Sequence, residues 1–244
     1  LQGNILFIDE ENSFINTEEF AATVKGSDNY FVLITRENLY NLPYSVEEIY
    51  GLRSSGKYQN TRKVYQQMYQ IYSRVQQFPV KPKKLLLEDS NSGYEFFKAV
   101  SEAAGRECQS AGGKSNLLKA LKDTEPEEIC VIADGAAIGP EMNGLYQKIQ
   151  KNPNIKLYLP ESFEWIILNA RILEGKEIQE ILQNPEVYID SKEYFSWERY
   201  FTKLLIEKTE GTYLQYKKAT LNETYLHEKN KRKILQSMKG IDFK

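Results

Sequence analysis

The sequence has few of the residue types on which most enzyme sites depend. Of its 244 residues, one is a histidine, His227, and two are cysteines, Cys108 and Cys130. Histidine-rich zinc sites, Ser-His-Asp triads and Cys-His dyads are therefore mostly excluded. The lone cysteines fit small core residues of a protein in a reducing cytoplasm. Catalysis, if present, is left to carboxylates and a hard cation such as Mg²⁺.

Long apolar runs and an excess of charge are also missing. No stretch approaches the roughly 20 apolar residues of a membrane helix, so we expect no membrane span and a cytoplasmic protein. The net charge is −2, so contact with nucleic acid needs a local basic patch. Residues 229–239 are locally basic, but Glu223 and Glu228 also fit an ordinary solvated helix.

Short apolar runs that predict strands alternate with amphipathic segments that predict helices. The predicted fold class is α/β, with mostly parallel sheets, flanking helices and a helical C-terminal extension. The chain divides into residues 1–78, 79–161 and 162–244. In the first part, residues 4–8 and 30–35 predict buried strands on either side of a helix with Thr17 as its N-cap. The sequence between Tyr58 and Phe78 gives no clear periodicity.

Acidic residues follow two predicted strands of the second part. Glu88 and Asp89 come after residues 84–87, and Asp134 comes after residues 129–133. Ligands of an open parallel sheet bind at the carboxyl ends of its strands. Two carboxylates there repel one another unless a cation lies between them, and Mg²⁺ suits that position. The alternative is that these are ordinary loop or N-cap residues.

The order of three short motifs resembles the Toprim domains of topoisomerases, primases and OLD-family nucleases. Residues 85–88, Leu-Leu-Leu-Glu, with Gly93 resemble the first strand and its glycine. Residues 110–114, Ser-Ala-Gly-Gly-Lys, resemble the central turn, and residues 131–134, Val-Ile-Ala-Asp, resemble the acidic strand end. The resemblance covers roughly 75 residues and implies a Toprim-like second half.

The resemblance also implies roles for particular residues. Glu88 would act as general base or metal ligand, and Asp134 as a ligand of Mg²⁺. Ala136 stands where the family has the second acid of its Asp-x-Asp motif, which weakens the expected metal site. Asp89 or Glu141 is a candidate replacement.

The first part resembles a piece of a P-loop ATPase. Residues 4–10 match the Walker B pattern, in which Asp9 would hold Mg²⁺ and Glu10 would polarise water. OLD-family proteins join such an ATPase to a Toprim domain in this order. Residues 51–57 fit the Gly-x4-Gly-Lys frame of a P-loop but lack its Ser/Thr and a preceding strand. We expect ATP binding only if a P-loop precedes Leu1.

Two functions follow from this sequence. The first is Mg²⁺-dependent phosphodiester chemistry on nucleic acid by a degenerate Toprim-like domain attached to part of an ATPase. The alternative is a non-catalytic interaction or regulatory module that uses the same scaffold to bind a protein partner. Ala136, the missing P-loop and the mild net charge favour the alternative.

Overall fold

A four-stranded parallel sheet forms the centre of the molecule. The computed structural model describes residues 2–9, 13–54, 66–72, 80–121, 128–190 and 192–243. The strands are β5 (Lys84–Leu87), β6 (Glu107–Ser110), β7 (Ile129–Ile132) and β8 (Ile155–Tyr158), in the order β6-β5-β7-β8. All three pairings are parallel. The predicted α/β class is confirmed.

The two central strands are apolar because both of their faces are covered, as is usual in parallel sheets. Leu85 and Leu87 of β5 belong to one core cluster, and Leu86 belongs to the other. The first cluster includes α2 (Ser92–Ala103) through Phe96 and Phe97. The second includes α3 (Leu117–Ala120) and α4 (Met142–Lys151).

The C-terminal part is helical, as the sequence predicts, and shares a core with the sheet. Its helices are α5 (Phe163–Asn169), α6 (Lys176–Gln183), α7 (Pro185–Tyr188), α8 (Trp197–Thr209) and α9 (Glu228–Ser237). Buried side chains of α5, α6, α8 and α9 lie in the same cluster as Leu85. This packing lets distant segments of sequence reach the sheet edge. Within the described ranges, none of the helices has the length and apolar character needed to span a bilayer.

The N-terminal part contains a small parallel sheet with one open face. Strands β1 (Ile5–Ile8) and β2 (Tyr30–Leu33) pair in parallel, and α1 (Glu18–Lys25) connects them, with Thr17 accepting from the Phe20 N–H at its N-cap. The prediction of buried strands was wrong here, since Ile5 is 61% and Phe7 is 70% exposed. Among the described residues, those that pack on this sheet lie on one face, against Phe20 and its neighbours.

An antiparallel hairpin follows. Its strands are β3 (Tyr50–Ser54) and β4 (Gln66–Gln70). Strand β4 lies between Tyr58 and Phe78, where no element was predicted. The chain just before β3 is bonded to the loop after β7, because the Val46 N–H donates to the Gly135 carbonyl at 3.1 Å. The Gly139 N–H donates to the Tyr44 carbonyl at 3.0 Å.

Candidate acidic site at the sheet edge

Glu88 and Asp134 meet at the carboxyl ends of the two central strands. Strands β5 and β7 are neighbours, with Leu87 paired to Ile132, so the residues that follow them emerge side by side. The Glu88 N–H donates to the Ile132 carbonyl at 2.9 Å. The Asp134 N–H donates to Oε2 of Glu88 at 3.0 Å. The sheet register therefore brings together the two acids that the sequence singled out.

The Gly112-Gly113 turn holds the backbone of Glu88. Both glycines have positive φ, 71° and 121°, a region that favours glycine. The turn directs the Gly113 N–H to the Glu88 carbonyl at 2.7 Å. Lys114 follows directly, and its ammonium donates to the Ala137 carbonyl at 3.0 Å. The glycine pair thus fixes one side of the site.

The loop after Asp134 passes tightly under the end of β8. The Gly135 N–H donates to the Pro160 carbonyl, and a Cβ on Gly135 would lie 2.5 Å from the Leu159 carbonyl oxygen. Ala136, at the position of the second acid in the resemblance, is buried, and its N–H donates to the Glu161 carbonyl at 3.3 Å. The loop is therefore fixed by backbone hydrogen bonds at Gly135 and at Ala136 itself.

The C-terminal part supplies further charged groups. Glu164 of α5 is buried, and Glu198 of α8 is partly buried. Lys218 contacts Glu198 in a close ion pair, and its ammonium lies 3.9 Å from Oε1 of Glu164. The Lys218 carbonyl also accepts from the Ser92 N–H at 3.0 Å, which fixes this segment to the start of α2.

A buried hydrogen-bond chain orients Glu164. The Tyr216 hydroxyl donates to Oε1 of Glu164 at 2.8 Å and lies 2.6 Å from Oγ of Ser92. Since the one hydroxyl proton of Tyr216 goes to Glu164, Ser92 acts as the donor to Tyr216. Burial, followed by the charge of Glu164, raises the pKa of Tyr216, so it remains a donor.

Acidic side chains outnumber basic ones at this site, and burial raises the pKa values of several carboxyl groups. Burial, followed by the charges of Glu198 and Glu88, raises the pKa of Asp134 well above its usual range. Burial raises the pKa of Glu88 to about 7, although the Asp134 N–H and Lys114 oppose the shift. Burial also raises the pKa of Asp89, where Glu164 adds to the shift.

Lys218 keeps its proton in this setting. Burial lowers its pKa, but Glu164 and Glu198 outweigh burial, so the net pKa is raised. Five carboxyl groups thus act on one another, against the ammonium groups of Lys218 and Lys114. The carboxyl groups are those of Glu88, Asp89, Asp134, Glu164 and Glu198. We call these five the acidic cluster.

A small cavity of about 20 Å³ lies beside Glu88, Asp89 and Asp134. A volume of this size holds about one water molecule. Its floor is apolar, formed by side chains that include Phe97 and Phe163. In the part of the chain that the structure describes, no three acidic, histidine or cysteine side chains are arranged as a ready-made metal cage.

The remaining predicted residues lie elsewhere. Asp9 is exposed at the end of β1, on the small sheet, and Glu10 lies outside the described residues. Gly51 of the P-loop-like frame lies in the antiparallel strand β3, not in a loop between a strand and a helix. Glu141 is buried, and Lys114 is the charge that acts most on its pKa, which burial raises.

Nothing in the sequence analysis placed Glu164, Glu198, Tyr216 or Lys218 at this site. A glutamate in the first turn of a helix, as Glu164 and Glu198 both are, is an ordinary helix feature and gives no signal of a site. Their role depends on how α5 and α8 dock on the sheet. Comparisons with models of protein families, with curated proteins and with solved structures found no match.

Proposed function

We propose that this protein performs Mg²⁺-dependent phosphodiester chemistry on nucleic acid at the acidic cluster. The observation that carries the proposal is the pairing of Glu88 and Asp134 at adjacent strand ends, where the Asp134 N–H donates to Glu88 at 3.0 Å. The Toprim-like order of motifs supports it, because the three motifs flank this one sheet edge: the end of β5, the turn after β6 and the end of β7.

The donors fit a magnesium ion. Mg²⁺ prefers oxygen ligands and usually takes one or two carboxylates, with water and substrate phosphates completing its shell. A preformed cage of three protein ligands is therefore not required. Glu88 and Asp134 would hold the ion, with Asp89 as a third candidate beside the same cavity. A bound Mg²⁺ would supply a Lewis acid for a phosphoryl oxygen.

The protein groups have separate roles in this proposal. If Asp134 and Asp89 hold the ion and Glu88 does not, a pKa of about 7 suits Glu88 to accept a proton near neutral pH. Glu164 and Glu198 hold the ammonium of Lys218 close to the acidic cluster. Lys218 and Lys114 are then the cations that would face a phosphate entering beside the carboxylates.

One observation favours the alternative, a non-catalytic interaction module. Lys218 already forms an ion pair with Glu198 and lies near Glu164, so the site carries part of its own neutralising charge. A protein partner would then bind a scaffold whose acidic cluster is structural. The thermal measurement below separates the two functions.

The remaining sequence-based expectations belong to the same proposal. We place the protein in the cytoplasm, which the free thiols of Cys108 and Cys130 support. We propose ATP binding only if a P-loop precedes Leu1. Asp9 would then hold Mg²⁺, and Glu10 would polarise the attacking water.

The test combines metal binding with cleavage. Millimolar Mg²⁺ or Mn²⁺ should raise the melting temperature at pH 8, because a ligand that binds only the folded state stabilises it. The same ions should support cleavage of labelled single-stranded and plasmid DNA. Glu88→Gln and Asp134→Asn should lose both effects. Glu102→Gln, on the exposed side of α2, is the matched control and should keep both.

Two results would contradict the proposal. Unchanged cleavage in both site variants would remove the acidic cluster as its source. A melting temperature that does not respond to millimolar metal, together with no cleavage by the unaltered protein, would leave the interaction module as the function.

A further inference from the structure

The segment between Glu48 and Glu88 differs in charge from the rest of the chain. Residues 49–87 contain no aspartate or glutamate, although the whole chain has 34 acidic residues. They contain eight basic residues and five tyrosines. The basic residues are Arg53, Lys57, Arg62, Lys63, Arg74, Lys81, Lys83 and Lys84. Basic residues interleaved with aromatic ones are typical of surfaces that bind single-stranded nucleic acid.

Hairpin β3–β4, the described core of this segment, has large side chains that other described residues leave exposed. Leu52 and Met68 lie opposite one another on one face and are 58% and 60% exposed. Among the described residues 49–54 and 66–72, Ile49 and Tyr72, at the ends of the hairpin, are those that pack against a core cluster. A two-stranded hairpin is marginally stable alone in water, so a surface of this kind is expected to gain stability from a partner.

The opposite face carries an aromatic ring beside a cation. Gly51 pairs with Tyr69, and a Cβ on Gly51 would lie 2.6 Å from the tyrosine ring, so the absent side chain lets the ring lie over the strand. The exposed Arg53 guanidinium lies 5.2 Å from the centre of that ring. Tyr69 is 40% exposed, which leaves part of the ring open.

The base of the hairpin adjoins the loop of the acidic site. Val46 is bonded to Gly135, the residue after Asp134, and Tyr72 packs edge-on against Tyr146 of α4 with 5.4 Å between ring centres. An acidic cluster repels the phosphates of its own substrate, so a cationic surface beside it is needed to hold a nucleic-acid strand.

We propose that hairpin β3–β4 binds single-stranded nucleic acid, with Tyr69 stacking on a base and Arg53 contacting a phosphate. This inference deepens the proposed function by naming the surface that holds its substrate. The absence of carboxylates from residues 49–87 favours a polyanion over a protein partner. The tyrosine ring favours unpaired bases, which expose their faces for stacking.

Binding is measured without metal, so that it is independent of cleavage. Fluorescence anisotropy of a labelled oligothymidylate of about 20 nucleotides, with EDTA, should show affinity that falls steeply with salt. Tyr69→Leu keeps apolar cover over Gly51 but removes the aromatic face, and should weaken binding about tenfold. Tyr69→Phe should bind like the unaltered protein. For Arg53→Gln, the slope of the logarithm of the binding constant against the logarithm of the salt concentration should become shallower by about 0.7. This is the change expected when one phosphate contact with a single strand is lost.

Matched variants elsewhere fix the location. Tyr213→Ala removes another exposed tyrosine, and Arg232→Gln removes an exposed arginine of α9; both should bind normally. The inference is overturned if the unaltered protein does not bind the oligonucleotide, if Tyr69→Leu and Arg53→Gln bind normally, or if Arg232→Gln loses as much affinity as Arg53→Gln. Binding without metal-dependent cleavage contradicts only the proposed function, and cleavage with unaffected hairpin variants contradicts only this inference.

Discussion

The chain places acidic residues after apolar strands in two regions, and their surroundings differ. Asp9 follows β1, a strand of a two-stranded sheet with an open face, and is itself exposed. Glu88 and Asp134 follow central strands that are covered on both faces. The same local pattern therefore gives an exposed acidic residue in one region and a buried, coupled acidic cluster in the other. The difference comes from the helices that pack on the larger sheet.

Replacing Lys218, one of the two lysines beside the acidic cluster, should have the largest effect on stability. Lys218→Met keeps the length of the side chain but leaves the buried Glu164 without its nearby ammonium. We expect a loss of about 2.5 kcal/mol in the free energy of unfolding at pH 8, below the range for a fully buried ion pair because the Lys218 side chain is 35% exposed. Lys25→Met, at the exposed end of α1, loses a cation–π contact with Phe195 at 5.8 Å and should change stability by less than about 1 kcal/mol. Urea unfolding measures both.

The same variant tests the electrostatic origin of the effect. Mg²⁺ at millimolar concentration, or a pH near 5, should restore part of the lost stability in Lys218→Met, because either one reduces the uncompensated negative charge. An equal loss at pH 5 and pH 8, with no response to metal, would show that Lys218 acts by packing alone.

Two glycines, one from each region, also differ in how tightly they are enclosed. Gly135→Ala would place a Cβ 2.5 Å from the Leu159 carbonyl oxygen and 2.8 Å from that of Pro160, and neither backbone atom can move easily. We expect the free energy of unfolding to fall by about 2 kcal/mol, which is within the range for overpacked sites. Gly26→Ala, after α1, meets only Ala22 at 3.5 Å and has a φ of −84° that alanine adopts freely. It should be neutral or slightly stabilising, and urea unfolding measures both glycine variants.

This contrast explains which features the sequence could predict. The apolar runs of β5 and β7 and the acids after them are local, so the parallel sheet and the pairing of Glu88 with Asp134 could be expected. The apolar run of β1 looks the same in sequence, but no described element covers one of its faces, and the prediction of burial was wrong. Burial depends on partners that a short run does not encode.

The rest of the acidic cluster depends on docking between distant segments. Glu164 reaches the site because α5 packs in the core that contains Leu85, and Lys218 reaches it because its carbonyl binds the start of α2. No regular spacing of residues in the sequence predicts either contact. Tyr216 likewise acquires its role only when the fold brings it between Ser92 and Glu164.

Loss of the Tyr216 hydroxyl should have an intermediate effect. Tyr216→Phe leaves Ser92 and Glu164 without their shared partner in a buried setting. We expect the free energy of unfolding to fall by about 1.5 kcal/mol, a value typical of a hydrogen bond to a charged group. Tyr44→Phe, in the N-terminal part, loses only a long contact of 3.5 Å from the Leu39 N–H and should cost less. Equal losses in chemical unfolding of the two variants would contradict a special role for the Tyr216 bond.

The smallest effect should be a gain in stability. In metal-free buffer, the pKa of Glu88 is raised to about 7 in the folded state from an ordinary value of 4.5. Between these values the folded protein holds a proton that the unfolded chain has lost, so the free energy of unfolding falls as pH rises. Glu88→Gln cannot lose a proton and keeps an acceptor for the Asp134 N–H. It should therefore be more stable than the unaltered protein at pH 8 by about 1 kcal/mol, since partial solvent access moderates the shift.

Asp9→Asn is the matched control for this gain, because Asp9 is an exposed acid after an apolar strand. Its stability should stay within about 0.5 kcal/mol of the unaltered protein from pH 5 to pH 8. Unfolding in EDTA across this pH range checks both variants. A Glu88→Gln protein that is less stable at pH 8 would mean that neighbouring cations already balance the Glu88 charge. In that case Glu88 would differ from Asp9 in burial, but neither carboxylate would need an added cation. The negative charge of the acidic cluster would then no longer support a bound Mg²⁺.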